Sequence, residues 1–211
     1  MSAPKFVKSA ASASDFPRDE GREVAFVGRS NSGKSSAINA IFGARKLARV
    51  SKTPGRTQLV NFFEIAPGRR IVDLPGYGYA RVTPDVRERW RRLLAAYFEG
   101  RRSLAGLLLT VDVRRGLGEQ DEQMLAWAER LGLPVVALLT KADKLPRGQA
   151  LERQREAAAR LGGPDNAILF SALRRDGVAQ ARERLEGWLE EKEGPGCGIQ
   201  GTHPGPRVPV G

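Results

Sequence analysis

Apolar positions along this chain fall into two patterns that take turns. Short runs with almost no polar interruption, Val24 to Val27, Leu104 to Val111 and Val135 to Leu139, have the length of strands and the continuous hydrophobicity of strands buried on both faces. Between them, apolar residues recur at helical spacing. Ala37, Ile38, Ile41 and Phe42 predict a helix from Lys34 to about Gly43, and Val86, Trp90, Leu93, Leu94 and Tyr97 predict another that starts at Pro84. Met124, Ala128 and Leu131 form the inward face of a helix from Gln120 to Leu131, and a further helix spans Gln149 to Leu161. Val178, Ala181, Leu185, Trp188 and Leu189 form the stripe of the last helix, from Gly177 to Glu191. Leu59 to Ala66 and Arg70 to Leu74 read as a hairpin around Pro67 and Gly68, and Ile168 to Phe170 is a short strand. Strands that alternate with helices predict an α/β fold: a mixed, mostly parallel six-stranded sheet with helices on both faces and a ligand at the carboxyl ends of the strands.

Outside this core the pattern fails. Residues 1–20 are small and polar, with Phe6, Val7 and Phe16 as candidate anchors, and read as a mobile or loosely docked lead-in. Residues 21–193 form the folded domain. Beyond Glu193 the chain is so rich in Gly and Pro that residues 194–211 are expected to be a disordered tail. The aperiodic stretch that ends at Thr57 is a loop of functional length.

Composition narrows the chemistry. With 211 residues the chain holds one α/β domain and not two. One cysteine, Cys197, and one histidine, His203, both near the end, exclude a disulfide framework, a zinc cluster and a histidine-based triad. The scarcity of cysteine fits a reducing cytoplasm, and no apolar run exceeds strand length, so a soluble protein, neither exported nor membrane-spanning, is expected; it is expected to be a monomer. The net charge of +11 suits a polyanionic partner. It is also unevenly placed. Arg45, Lys46, Arg49, Lys52 and Arg56 follow one another without an acid, and seven arginines between Arg81 and Arg102 face only Asp85, Glu88 and Glu99.

The candidate chemistry begins where the first strand meets the first helix, in Gly28, Arg29, Ser30, Asn31, Ser32, Gly33, Lys34, Ser35 and Ser36. Gly28, four residues, then Gly33, Lys34 and Ser35 is the P-loop pattern, in which glycines turn successive N–H groups toward a polyphosphate at a helix start. Lys34 would reach the β- and γ-phosphates, and the Ser35 hydroxyl would take one position on a phosphate-bound Mg²⁺. ATPases, kinases and GTPases all share this loop. Asp73, Leu74, Pro75 and Gly76 follow at the distance where a strand-end aspartate holds Mg²⁺ and a glycine N–H meets the γ-phosphate.

The base is addressed from two later strand ends. Thr140, Lys141, Ala142 and Asp143 place a carboxylate that can accept the N1 and N2 donors of guanine, which adenine cannot satisfy. The Lys141 stem would cover the base. Ser171, Ala172 and Leu173 offer the Ala172 N–H to the guanine O6. Thr140 stands where many GTPases carry asparagine.

The ordered set of P-loop, Thr57, DLPG, TKAD and SAL marks a translation-factor-like GTPase. The segments KSAAS, GRSNSGKSS, KTPGRTQLVNFFE, VDLPGYGYARV and LTKADKL, within a resemblance that runs from about Phe6 to Leu189, resemble the EngB family of bacterial ribosome-assembly GTPases, also called YsxC or YihA. That resemblance implies a GTPase that converts GTP to GDP and binds the large ribosomal subunit or its precursor, with a role in growth and normal cell division. It implies Ser35 and Thr57 as hydroxyl ligands of Mg²⁺ with Asp73 behind them, and Gly55 and Arg56 as neighbours of the nucleotide. Ribosomal RNA would meet the basic segments.

Tyr77 occupies the position where a glutamine would orient the attacking water, so intrinsic hydrolysis is expected to be slow. Asn31 either braces the P-loop or, as in related GTPases, helps hold K⁺ beside the phosphates. Lys34, Thr57, Gly76 and Asn31 are therefore the candidate catalytic residues. Two rivals stay open at this point: a nucleotide-gated RNA or protein adaptor whose hydrolysis is incidental, and an ATP-dependent enzyme, against which Asp143 argues.

Overall fold

The computed structural model describes residues 3–44, 47, 59–78 and 83–190. Strands β1 (Lys5–Ala10), β2 (Arg22–Gly28), β3 (Val60–Ala66), β4 (Arg69–Asp73), β5 (Leu104–Asp112), β6 (Val135–Thr140) and β7 (Ala167–Leu169) form one sheet in the order β1-β3-β4-β2-β5-β6-β7. The pairs β1 with β3 and β3 with β4 are antiparallel, and all others are parallel. The five principal helices are α1 (Lys34–Phe42), α2 (Pro84–Gly100), α3 (Glu119–Arg130), α4 (Arg147–Arg160) and α5 (Val178–Glu190). Among the described residues none is long and apolar enough to cross a membrane.

The layers follow from strand alternation. Along β2, Val24 and Phe26 face α1 and α5, where they join Ile38, Ile41, Leu185 and Trp188. Ala25 and Val27 face the other way, into a cluster with Leu94 and Tyr97 of α2, Met124 and Leu125 of α3 and Ala157 of α4. The central strands are buried almost throughout because both faces are covered, which is why they read as unbroken apolar runs.

Two expectations are corrected. The sheet has seven strands rather than six, because residues 5–10, expected in a loosely docked lead-in, pair with β3 as its edge. Phe6 and Val7 remain exposed. Ala10 is buried, Phe16 packs against Phe62 and Tyr97, and Asp19 accepts from the Ser103 N–H at 3.0 Å and hydroxyl at 2.6 Å. The second correction concerns α3: Leu131 sits past its end and is 36% exposed, while Leu125 fills the inward position. The basic loop, including Gly55, Arg56 and Thr57, lies outside the described residues, as do Arg81 and the tail from residue 191.

Candidate functional site

Register brings the sequence motifs to one edge of the sheet. Phe26 is level with Asp73, Gly28 with Thr110, and Asp112 with Thr140, so four neighbouring parallel strands end together. Gly28 to Ser32 leave β2, and Gly33, with φ of 98°, turns the chain into α1 without any side chain capping the helix. Its first N–H groups thus face the strand ends. Only glycine fits at 28: a Cβ there would lie 2.1 Å from Thr110 Oγ1. Asn31 adopts φ of 63°, a left-handed conformation that asparagine tolerates better than most residues.

The loop is braced from below. Ser32 is buried with its hydroxyl 2.7 Å from that of Thr110, which lies 3.0 Å from the Val27 carbonyl. Thr140 Oγ1 contacts the Ser32 carbonyl and is 3.1 Å from that of Val111. Thr140 therefore braces the loop that follows β2 from the end of β6. Lys141 makes a second tie: its ammonium donates to the Asn31 carbonyl and to Asp112 Oδ2, each at 2.8 Å. The sequence gives Asp112 no separate notice, although it closes a buried strand as Asp73 does. Burial works against charge on Asp112, yet hydrogen bonds from Arg114 and Lys141 outweigh it and hold the carboxyl well below the usual carboxylate range.

At the phosphate end, the Lys34 ammonium contacts Asp73 Oδ1, with both side chains mostly buried. Ser35 stands in the first turn of α1, half-buried, and Ser36 beside it is exposed. Leu74 and Pro75 are buried, and Gly76 lies against the loop so closely that a Cβ would sit 3.4 Å from the Gly28 carbonyl oxygen and the Ser30 nitrogen. Among the described residues no three acidic, histidine or cysteine side chains gather as a protein-built metal cage. One carboxylate and one helix-start hydroxyl do fit a Mg²⁺ that arrives on phosphates, since that ion keeps waters and takes few protein ligands.

At the other end, Asp143 Oδ1 accepts the Ser171 hydroxyl at 2.7 Å, and this bond is the main reason its carboxyl lies below its ordinary value. The Ala142 N–H donates to the Phe170 carbonyl at 3.1 Å, which fixes the 140–143 turn to the end of β7. Ala172 is half-buried and Leu173 is 79% exposed at the rim. The Arg29 side chain points elsewhere: a Cβ on Gly118 would lie 3.1 Å from its Nη1, below the turn that follows Gly76. Apart from Gly55, Arg56 and Thr57, every candidate residue lies along this one rim.

The profile of the 50S ribosome-binding GTPases matches residues 23–141. A probable GTP-binding protein EngB of Yersinia enterocolitica is 50% identical over 189 residues, 88% of this chain and 87% of that one. The probable EngB of Escherichia coli O139:H28 is 48% identical over 191 residues, 89% of this chain and 91% of its own. In fold, the chain is similar to a crystal structure of a probable GTP-binding protein engB (TM-score 0.66, 24% identity, 81% of this chain and all of that one). It is also similar to Era in complex with MgGDPNP and nucleotides of 16S ribosomal RNA (TM-score 0.65, 22% identity, 84% of this chain and 59% of that one). With half of its residues shared over nearly the full length of its relatives, the chain belongs to the EngB family of GTP-binding proteins and is a GTPase.

Proposed function

We propose that this GTPase is a nucleotide switch for assembly of the large ribosomal subunit in the bacterial cytoplasm, where growth and normal cell division depend on it. The observation that supports the nucleotide part best is the physical continuity of the two ends: Lys141 and Thr140 tie the base-reading turn directly to Asn31 and Ser32 of the phosphate loop. Guanine recognition at Asp143 and phosphate binding at Gly28 to Ser36 are thus set at a fixed separation. Lys34 would leave Asp73 for the β- and γ-phosphates, and Asp73 and Ser35, with Thr57, would hold Mg²⁺. The metal would draw negative charge from the phosphates. The Ala172 N–H would meet the guanine O6.

Hydrolysis is expected to be slow, since Tyr77 is buried with its hydroxyl committed elsewhere and offers nothing to orient water. Turnover in KCl against NaCl tests Asn31: equal rates remove potassium from the mechanism.

The ribosomal part is supported by three facts. The matched profile is that of 50S ribosome-binding GTPases, Era has been seen with ribosomal RNA, and this chain carries +11 charges. Arg89, Arg91 and Arg92 are exposed along α2, the helix that follows the Asp73 to Gly76 segment. GTP would order the basic surface for RNA and its hydrolysis would release it. Co-sedimentation with large subunits should be stronger with a non-hydrolysable GTP analogue than with GDP. Equal binding would sink the coupling.

A further inference from the structure

The turn that carries Gly76 is held from outside the nucleotide rim. Tyr77 is 5% exposed, and its hydroxyl donates to Asp121 Oδ1 at 2.7 Å. Burial pushes the phenol well above its ordinary value, so it keeps its proton and is the donor. Asp121 is 1% exposed in the first turn of α3, and its second oxygen accepts the Gly118 N–H at 2.9 Å. The main chain of Tyr77 is bonded to the P-loop on both sides. Its N–H donates to the Gly28 carbonyl at 3.3 Å, and its carbonyl accepts the Ser30 N–H at 2.6 Å. Trp90 of α2 closes the group, with its ring 6.1 Å from that of Tyr77 and its indole N–H 3.4 Å from the Pro75 carbonyl. Gly78 has φ of 77°, the left-handed conformation that favours glycine, and it passes against the Gln120 side chain of α3.

The segment Pro75 to Gly78 contains two glycines, the residues that lose the most freedom when ordered. Left untethered, it would give back much of what a γ-phosphate contact supplies. We propose that Asp121 is a positioning residue for the triphosphate response: through the Tyr77 hydroxyl it fixes the turn that presents the Gly76 N–H to a γ-phosphate. The inference rests on the GTPase reading above. It predicts an effect on one ligand only, because GDP has no γ-phosphate and gains nothing from a preordered Gly76.

Affinities of the full chain for GDP and for a non-hydrolysable GTP analogue, both with Mg²⁺, test it by calorimetry. Tyr77→Phe keeps the ring and loses the hydroxyl. It should reduce the analogue-to-GDP affinity ratio about tenfold, mostly through weaker analogue binding. Asp121→Asn separates positioning from helix capping. Its carbonyl still accepts from Tyr77, but its amide cannot accept from Gly118, so this variant should lose stability and keep the wild-type ratio. A merely structural role predicts an unchanged ratio in both variants: Tyr77→Phe with an unchanged ratio overturns the proposal, as does Asp121→Asn with a ratio as low as that of Tyr77→Phe, since the hydroxyl bond survives in that variant and could not be what sets the response. Wild-type protein that fails to prefer guanine over adenine nucleotides would overturn the GTPase reading itself, and the proposal with it.

Discussion

Charges are buried at both ends of the sheet, and the two ends use them differently. At the base, Glu23 of β2 is fully buried and accepts Arg70 Nη1 at 3.0 Å, Arg101 Nε at 3.2 Å and the Tyr97 hydroxyl at 3.2 Å. Both arginines also donate to main-chain carbonyls, Arg70 to Arg18 at 2.9 Å and Arg101 to Pro17 at 2.7 Å, and each has a second acid, Glu20 and Asp19 respectively, at 3.6 Å. Every partner there is a fixed part of the fold. At the rim, Lys34 with Asp73, Lys141 with Asp112 and Ser171 with Asp143 are pairs in which at least one member faces the proposed nucleotide. A buried charge whose valences are closed on the chain holds structure. One whose partner can be exchanged for a ligand group stores a binding site.

The contrast predicts that rim and base fail in different measurements. The largest effect belongs to Asp143→Asn. An amide presents a donor where the carboxylate only accepts, so GTP should lose about 10⁴-fold against XTP, with xanthine now preferred and folding little changed. Competition between the two nucleotides on purified protein checks this, and retained preference for GTP would move the base away from Asp143. Next comes the base. Glu23→Ala leaves Arg70 and Arg101 with only Glu20 and Asp19, each 3.6 Å away, as acidic partners and should cost about 3 kcal/mol in urea unfolding, while the protein that stays folded keeps its guanine preference. A loss below about 1 kcal/mol would mean that water reaches the cluster and that the two ends are not distinct.

The same contrast explains what could be read before the structure. Rim residues were legible because their chemistry fixes both identity and spacing: a glycine where a Cβ meets Thr110, a lysine and serine at a helix start, a carboxylate beyond a buried strand. The central strands were legible because burial on both faces leaves an unbroken apolar run. Strand β1 was not, since an edge strand is buried on few positions and KFVKSA keeps Lys5, Phe6 and Val7 exposed. Leu131 misled because helical periodicity carries no mark of where the last turn ends. Asp112, Asp121 and Glu23 escaped notice because Lys141, Tyr77 and Arg101, the partners that tie each of them across the fold, lie 29 to 78 residues away, a pairing only the fold creates.

A smaller effect is expected where rim chemistry and bracing coincide. Thr140→Val keeps the shape and removes the hydroxyl that contacts the Ser32 carbonyl, which should weaken GDP and GTP alike by about tenfold, near 1.4 kcal/mol. The preference for guanine over adenine should survive, because the proposed reader of the base, Asp143, is untouched. Calorimetry with both nucleotides decides it. If GTP weakened and GDP did not, the hydroxyl would serve the phosphate end and not the loop as a whole.

The smallest predicted effect is none, and it concerns the rim's response to pH. The Ser171 bond holds the Asp143 carboxyl below its ordinary value of 3.8, so the carboxylate persists as pH falls and is lost only on passing through its lowered folded value. Asp112 is held lower still, by Arg114 and Lys141 against the effect of burial, and it keeps Lys141 in place. Acids with depressed values contribute stability that is full above their unfolded values, about pH 4, and fades below. Between pH 8 and 5 neither group changes charge. The ratio of GTP to ATP affinity should therefore be flat across that range, because protonation of the γ-phosphate affects both nucleotides equally and cancels. A ratio that fell several-fold by pH 5 would mean that the Asp143 carboxyl is raised above its ordinary value rather than lowered, and that the Ser171 tie does not hold it ready for the base.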